Sequence, residues 1–208
     1  MAPARHPVIC LMGPTASGKT EVAIELSKRF PFDLISVDSA LVYRAMDIGT
    51  AKPEPEILAR YPHALVDIIE PEAPFSAGEF IRAAEREIDR IHGETRIPLL
   101  VGGTMMYFRA LINGMAELPP AAHAMRAEIN EEAARIGWPA LHAELAKVDP
   151  DAAAKINPND SQRIQRALEV CRVSDRTLTE WHRATPAPRA DYRFIKFALL
   201  PEPRAALH

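Results

Sequence analysis

The stretch Val8-Ile9-Cys10-Leu11-Met12-Gly13-Pro14-Thr15-Ala16-Ser17-Gly18-Lys19-Thr20 decides the fold. Its first five residues are a continuous apolar run that ends on a glycine-rich turn, the pattern of a strand buried on both faces of a parallel sheet. After the turn, Val22, Ala23, Leu26 and Phe30 recur at helical spacing, so a helix is predicted over residues 19–30. Between them, residues 13–20 satisfy GxxxxGK[ST] at every fixed position, in the strand-to-helix context that this motif requires. Its glycines let successive backbone N–H groups turn inward on phosphate oxygens, and the helix adds the positive end of its dipole. Lys19 supplies a point charge for the terminal phosphates, and Thr20 the hydroxyl that usually ligates Mg²⁺. The motif names a ligand group, a nucleotide such as ATP in the first instance, and no reaction.

Outward from this loop, a second strand is predicted over residues 33–37, a helix over 76–91 and a third strand over 97–101. The helix carries Phe80, Ile81, Ala84, Ile88 and Ile91 on one stripe. Strand, loop, helix, strand, helix, strand predicts a doubly wound α/β fold, a P-loop NTPase-like parallel sheet flanked by helices. Beyond Gly114 the strand-like runs stop, and helices are predicted over residues 125–136, 139–148 and 161–173, the last behind the capping residues Asn159-Asp160-Ser161. An apolar strand over 194–200 follows. The expected organisation is a core over residues 1–115, an all-helical insertion over 116–188 and a return to the core over 189–208.

Bulk properties narrow the class. A chain of 208 residues with 48% hydrophobic and 25% charged residues has the composition of an ordinary globular protein. A net charge of -3 is no global nucleic-acid signature, so any such site must be local. Cys10 and Cys171 lie far apart in apolar runs, which suggests buried thiols in a reducing compartment and neither a disulfide framework nor a metal site. No run approaches 18 apolar residues, and the segment before Val8 is too short for a signal peptide, so no membrane association and a cytoplasmic location are expected.

The usual companion of such a loop is a strand ending in Asp that holds Mg²⁺, but here the strand ends Leu100-Val101-Gly102-Gly103-Thr104. No Asn-Lys-x-Asp guanine motif occurs either. The acidic candidate is Asp38, at the carboxyl end of the second strand and so beside the crevice where these sheets bind ligands. With Ser39 after it, Asp38 reads equally well as a turn residue.

Several further segments act together: Asp38-Ser39 with Val42-Tyr43-Arg44, Asp47-Ile48-Gly49-Thr50-Ala51-Lys52-Pro53, Phe75-Ser76-Ala77-Gly78-Glu79-Phe80, and Gly102-Gly103-Thr104 before Tyr107. Asp149-Pro150, Asn159-Asp160, Gln162-Arg163-Ile164 and Arg166-Ala167-Leu168-Glu169-Val170 continue the series. In this order the chain resembles the tRNA dimethylallyltransferases, enzymes that move a dimethylallyl group from its diphosphate to the exocyclic amine of the adenosine 3′ of the anticodon. The resemblance implies two substrates, dimethylallyl diphosphate and the anticodon stem-loop of tRNAs reading codons that begin with U, with Mg²⁺ as cofactor and a monomeric enzyme. Gly13, Pro14, Thr15, Ala16, Ser17, Gly18, Lys19 and Thr20 would then cradle a leaving diphosphate, with Lys19 and Mg²⁺ near Thr20 neutralising it. Asp38 would be the general base and Thr104 would orient the same amine.

Residues facing tRNA would be Asp38, Ser39, Ala40, Leu41, Thr104, Arg126, Gln162, Arg163, Ile164, Gln165 and Arg166. Six Arg against three acids over residues 161–189, and four basic against eight acidic residues over 116–160, confine positive charge to the second half of the insertion. Without the resemblance, Arg163 and Arg166 read as a solvated helix face. Met105-Met106 reads as core, or by resemblance as lining for the prenyl chain. Many members of the family carry Met-Gln after Asp-Ser where this chain has Ala40-Leu41, so RNA recognition there is expected to rely more on backbone. Members normally continue well past the position of His208, so a C-terminal part is expected to be missing. The rival reading is a P-loop kinase of a nucleoside or other small metabolite, which predicts an acidic residue after Val101.

Overall fold

A computed structural model describes residues 6–201. The chain divides into two compact units, one of Met1–Gly114 with Ala187–His208 and the other of Met115–Pro186. In the first unit, β1 (His6–Met12), β2 (Phe32–Val37), β3 (His63–Ala64), β4 (Ile97–Gly102) and β5 (Tyr192–Ala198) form one parallel sheet in the order β3-β2-β4-β1-β5. Because β4 lies between β1 and β2, the turns leaving these three strands meet at one sheet edge, the crevice that such sheets use for ligands.

The apolar runs are buried on both faces, and their side chains alternate. Val8, Cys10 and Leu100 pack with α3 (Ala77–Gly93) and α4 (Met105–Asn113) on one face, through Phe80, Ile88 and Phe108. Leu11, Leu99 and Val101 pack on the other face with Ala23 of α1 (Lys19–Arg29). A capping box starts α3: Ser76 Oγ accepts from Glu79 N while Glu79 Oε2 accepts from Ser76 N. Burial pushes the Cys10 thiol up to about 12. Cys171 is only half-buried and, like Cys10, is a free thiol.

Three elements of this unit are absent from the pattern in the sequence. The helix α2 (Pro55–Arg60) buries nothing, and β3 has two residues, so neither has a periodicity to read. The third, α4, follows Gly102-Gly103-Thr104 directly and buries Tyr107, Phe108 and Leu111, a stripe hidden within a nearly continuous apolar run. The return strand begins at Tyr192, two residues ahead of the predicted start, and pairs with β1 along its full length.

At Gly102 the end of β4 lies tightly against Val37 at the end of β2. A Cβ there would lie 2.0 Å from Val37 O and 2.6 Å from Val37 C, both backbone atoms that cannot step aside. Gly102→Ala is therefore expected to destabilise this unit by about 2–3 kcal/mol, as overpacking does. The measurement is the denaturation midpoint, and an unchanged midpoint contradicts the close approach.

The second unit is helical: α5 (His123–Ile136), α6 (Trp138–Val148), α7 (Pro150–Ala153), α8 (Ser161–Ser174) and α9 (Leu178–Arg183). Ile129, Leu141, Leu145, Ile164 and Leu168 are its core. Asp149, nearly fully buried, caps α7 through Ala152 N and accepts from Thr179 N and Oγ1 at the start of α9. Burial opposes its ionisation, but these hydrogen bonds outweigh burial and hold its carboxyl below the usual aspartate range. Asp160 caps α8 through Arg163 N.

Candidate active site

The turn after β1 reverses tightly. A Cβ on Gly13 would meet Ser17 Oγ at 2.7 Å and Leu199 O at 2.9 Å, so only glycine fits. Ala16 (φ 64°) and Gly18 (φ 77°) are both left-handed, the alternation that aims successive N–H groups into a concavity. No side chain caps the start of α1, which leaves its first amides for an anion. Lys19 Nζ donates to Pro14 O at 2.9 Å. Burial draws the Lys19 pKa below its ordinary value, against the opposing pull of Asp38 and Glu21. The half-buried Thr20 follows in the first turn of α1.

Residues 15–20 line a cleft of about 330 Å³ together with Asp38, Leu41, Lys52 and Val101. Asp38 serves both readings of its position. Its Oδ1 accepts from Ala40 N at 2.8 Å and Leu41 N at 3.3 Å, a side-chain turn, while Oδ2 accepts no hydrogen bond among the described residues. Thr104 Oγ1 accepts from Ser39 N at 3.2 Å, and Thr104 N donates to Val37 O, so the end of β4 is stitched to the Asp38 turn. Gly103 keeps this edge open: a Cβ there would sit 3.1 Å from Gly13 O and 4.0 Å from Lys19 Nζ. The N–H groups of Ala40 and Leu41 are thus committed inside the turn, and that of Ser39 to Thr104.

In the helical unit, the residues proposed to face RNA divide sharply. Ile164 is wholly buried, so its side chain belongs to the core and faces no solvent. Gln162 and Arg163 are exposed, Arg163 beside Asp160 at 3.2 Å, and Gln165 Nε2 donates to Asn130 Oδ1 at 2.7 Å. Arg126 and Arg166 both converge on Glu169, a fully buried carboxylate that also accepts from Ala122 N at 2.7 Å. Arg166 donates in addition to Pro119 O. Glu169 and Lys52 stand in segments that carry the resemblance, but nothing in the sequence assigned either of them a role. Glu169 is a charge placed directly after the buried stripe Ile164, Ala167 and Leu168, and that placement was the available signal.

The family model described as IPP transferase matches residues 41–208. The chain belongs to this family. It is 55% identical over 205 residues to a tRNA dimethylallyltransferase of Thioalkalivibrio sulfidiphilus, covering 99% of this chain and 64% of that one. It is 53% identical to the Chromobacterium violaceum tRNA dimethylallyltransferase, over 96% of this chain and 62% of that one. The chain thus spans less than two thirds of the length of these relatives. Among solved structures, a tRNA isopentenylpyrophosphate transferase of Bacillus halodurans matches at 36% identity and a TM-score of 0.55, over 93% of this chain and 60% of that one. A eukaryotic dimethylallyltransferase acting on tRNA matches at 27% identity and a TM-score of 0.76, over 95% of this chain and 50% of that one.

The P-loop NTPase-like sheet flanked by helices is the fold of this IPP transferase family member. With Gly102-Gly103-Thr104 in place of a carboxylate after Val101, the kinase reading is not favoured. Among the described residues no helix is long and apolar enough to cross a membrane.

Proposed function

We propose that the complete protein transfers a dimethylallyl group from dimethylallyl diphosphate to the exocyclic amine of the adenosine 3′ of the anticodon, in tRNAs reading codons that begin with U. The observation that carries this reading is a carboxylate with a free oxygen, Asp38, lining the same cleft as a phosphate loop. In the reaction the amine nitrogen bonds to the allylic carbon as the carbon–oxygen bond breaks. The amine proton passes to Asp38 Oδ2, and the diphosphate leaves with the bonding electron pair. A base amine is a poor nucleophile, so loss of its proton as the bond forms lowers the barrier. Lys19 and the uncapped N–H groups of Gly18, Lys19 and Thr20 at the start of α1 meet the charge that develops on the leaving group, where fixed donors help most.

Thr104 sits one hydrogen bond from the Asp38 turn and orients the same amine. The adenosine flips from its stack, since its amine reaches the cleft no other way. Met105 and Met106, exposed at the start of α4, provide apolar surface for the prenyl group. Mg²⁺ fits the donor set of the loop, where Thr20 and Ser17 offer hydroxyls and the phosphates and water complete the shell. Bound there it would neutralise the leaving charge. Exposed Gln162 and Arg163, with Arg126, Gln165 and Arg166, supply the helical unit's contribution to the RNA, and the protein acts as a cytoplasmic monomer.

The test is incubation of the complete protein with dimethylallyl diphosphate, Mg²⁺ and unmodified tRNA, read by mass spectrometry of the tRNA. A gain of one dimethylallyl group on the adenosine beside the anticodon is expected, and its absence overturns the reading. Lys19→Ala is expected to lower kcat/KM roughly 10²–10³-fold, through both a higher donor KM and a lower kcat. A change in KM alone limits Lys19 to ground-state binding.

A further inference from the structure

The Asp47-Ile48-Gly49-Thr50-Ala51-Lys52-Pro53 stretch takes no part in the chemistry above, yet Thr50, Ala51 and Lys52 line the same cleft. The backbone in and just before it is strained: Ala51 (φ 56°) within the stretch and Ala45 (φ 58°) ahead of it are left-handed without being glycine. Such conformations persist only where the surroundings over-determine them. At the centre of those surroundings is Lys52. Its Nζ donates to Tyr43 O at 2.9 Å, to Asp47 Oδ1 at 2.8 Å and to Asp67 Oδ1, which uses all three donors of an ammonium. Its side chain is 5% exposed. Burial disfavours the charged form, but the bonds to Asp47 and Asp67 outweigh it, and Lys52 stays protonated. Lys19, the other lysine of this cleft, makes no ion pair among the described residues. Lys19 is available to a phosphate; Lys52 is saturated.

Two of the three partners of Lys52, Tyr43 and Asp67, lead back to the Asp38 turn. Tyr43 ends that turn through a bond from its N–H to Ala40 O. Asp67 N donates to Leu41 O at 3.0 Å, Ile68 N to Val42 O at 2.8 Å, and Arg44 Nε to Asp67 O at 3.0 Å. Without the ammonium, the carboxylates of Asp47 and Asp67 and the carbonyl of Tyr43 would face one another with no cation between them.

We propose that Lys52 is a positioning residue, whose buried ammonium locks the turn bearing Asp38 against the segment of residues 65–70. The catalytic consequence rests on the reading of Asp38 as the base; the mechanical one does not. A misplacement of about 1 Å in a reacting group costs on the order of 100-fold in rate, and that is the scale at which Lys52 acts.

The experiment compares native protein, Lys52→Met, Asp38→Ala and the double variant, all in the complete chain, by transfer kinetics and amide hydrogen exchange. Lys52→Met is expected to lower kcat roughly 30- to 100-fold with the donor KM within about threefold of native. The amides of Ala40, Leu41, Asp67 and Ile68 are expected to exchange faster, while the α3 amides keep their protection. The double variant is expected to be no slower than Asp38→Ala. A raised donor KM with native kcat makes Lys52 a phosphate ligand and overturns the proposal, as does native exchange at those four amides. If Asp38→Ala is fully active the base reading fails, and Lys52 is then judged by exchange alone. Should Lys52→Met not fold, Asp47→Asn, at an exposed carboxylate, is expected to show the same pattern at roughly threefold size. No effect there on either readout also overturns the proposal.

Discussion

Replacing Asp38 with alanine in the complete protein is expected to slow dimethylallyl transfer about 10³-fold, within the range of a lost general base. The donor KM should change little, because the phosphate loop is untouched. Alanine also removes the acceptor for Ala40 N and Leu41 N, so Asp38→Asn is the sharper variant. An asparagine oxygen can still accept from both amides and keep the turn, but it cannot take the amine proton at neutral pH. Single-turnover transfer to unmodified tRNA is the measurement. Asp38→Asn as slow as Asp38→Ala supports the base; native-like Asp38→Asn restricts Asp38 to shaping the turn.

The second large effect is expected in the helical unit. Glu169→Ala removes the buried carboxylate on which Arg126, Arg166 and Ala122 N converge. Stripping one partner from a buried ionic network leaves the others uncompensated, and a loss of about 3 kcal/mol follows, at the low end because both guanidinium groups reach solvent. Denaturant unfolding followed by helical circular dichroism reads the loss, and a native midpoint would show the network to be dispensable. The tRNA KM should rise as well, since both arginines lose the anchor that orients them.

The same carboxylate predicts a pH dependence. Burial alone would raise the Glu169 pKa, but the hydrogen bonds from Arg126, Arg166 and Ala122 N outweigh it and hold it below the ordinary glutamate value. Its contribution is therefore complete above the unfolded glutamate pKa of about 4.3 and is lost as pH falls through the lower folded value. Glu169→Gln should flatten the acid limb of the stability curve without altering its neutral plateau in shape.

The sheet and its phosphate loop were legible because their determinants are local. Five apolar residues before Gly13, the glycines of the turn and the helical spacing after Lys19 are all encoded within about twenty residues of chain. The same holds for the helix start at Ser76, four residues ahead of Phe80, and for the cap that Asp160 places on Arg163 N. Motif spacing also singled out Asp38 and Thr104 as candidates, through resemblance, before any geometry joined them. Elements too short to carry a period escaped, as α2 and β3 did, and α4 was hidden because an apolar run without gaps has no face to read.

What these local rules could not decide was the state of individual charges. Lys19 and Lys52 are chemically identical, yet one has a single carbonyl partner and the other is saturated by residues up to 15 positions away. Arg126 and Glu169 are 43 residues apart and meet only because α5 packs on α8. Ile164 sits within a polar run that reads as one exposed patch until helical packing turns its side chain into the core. Hydrophobic periodicity and turn chemistry act between near neighbours, so sequence alone determined the long strands of the sheet and the glycine-rich loop between β1 and α1. Ion pairing and burial depend on which distant groups are brought within a few ångströms, and only the tertiary structure decided those.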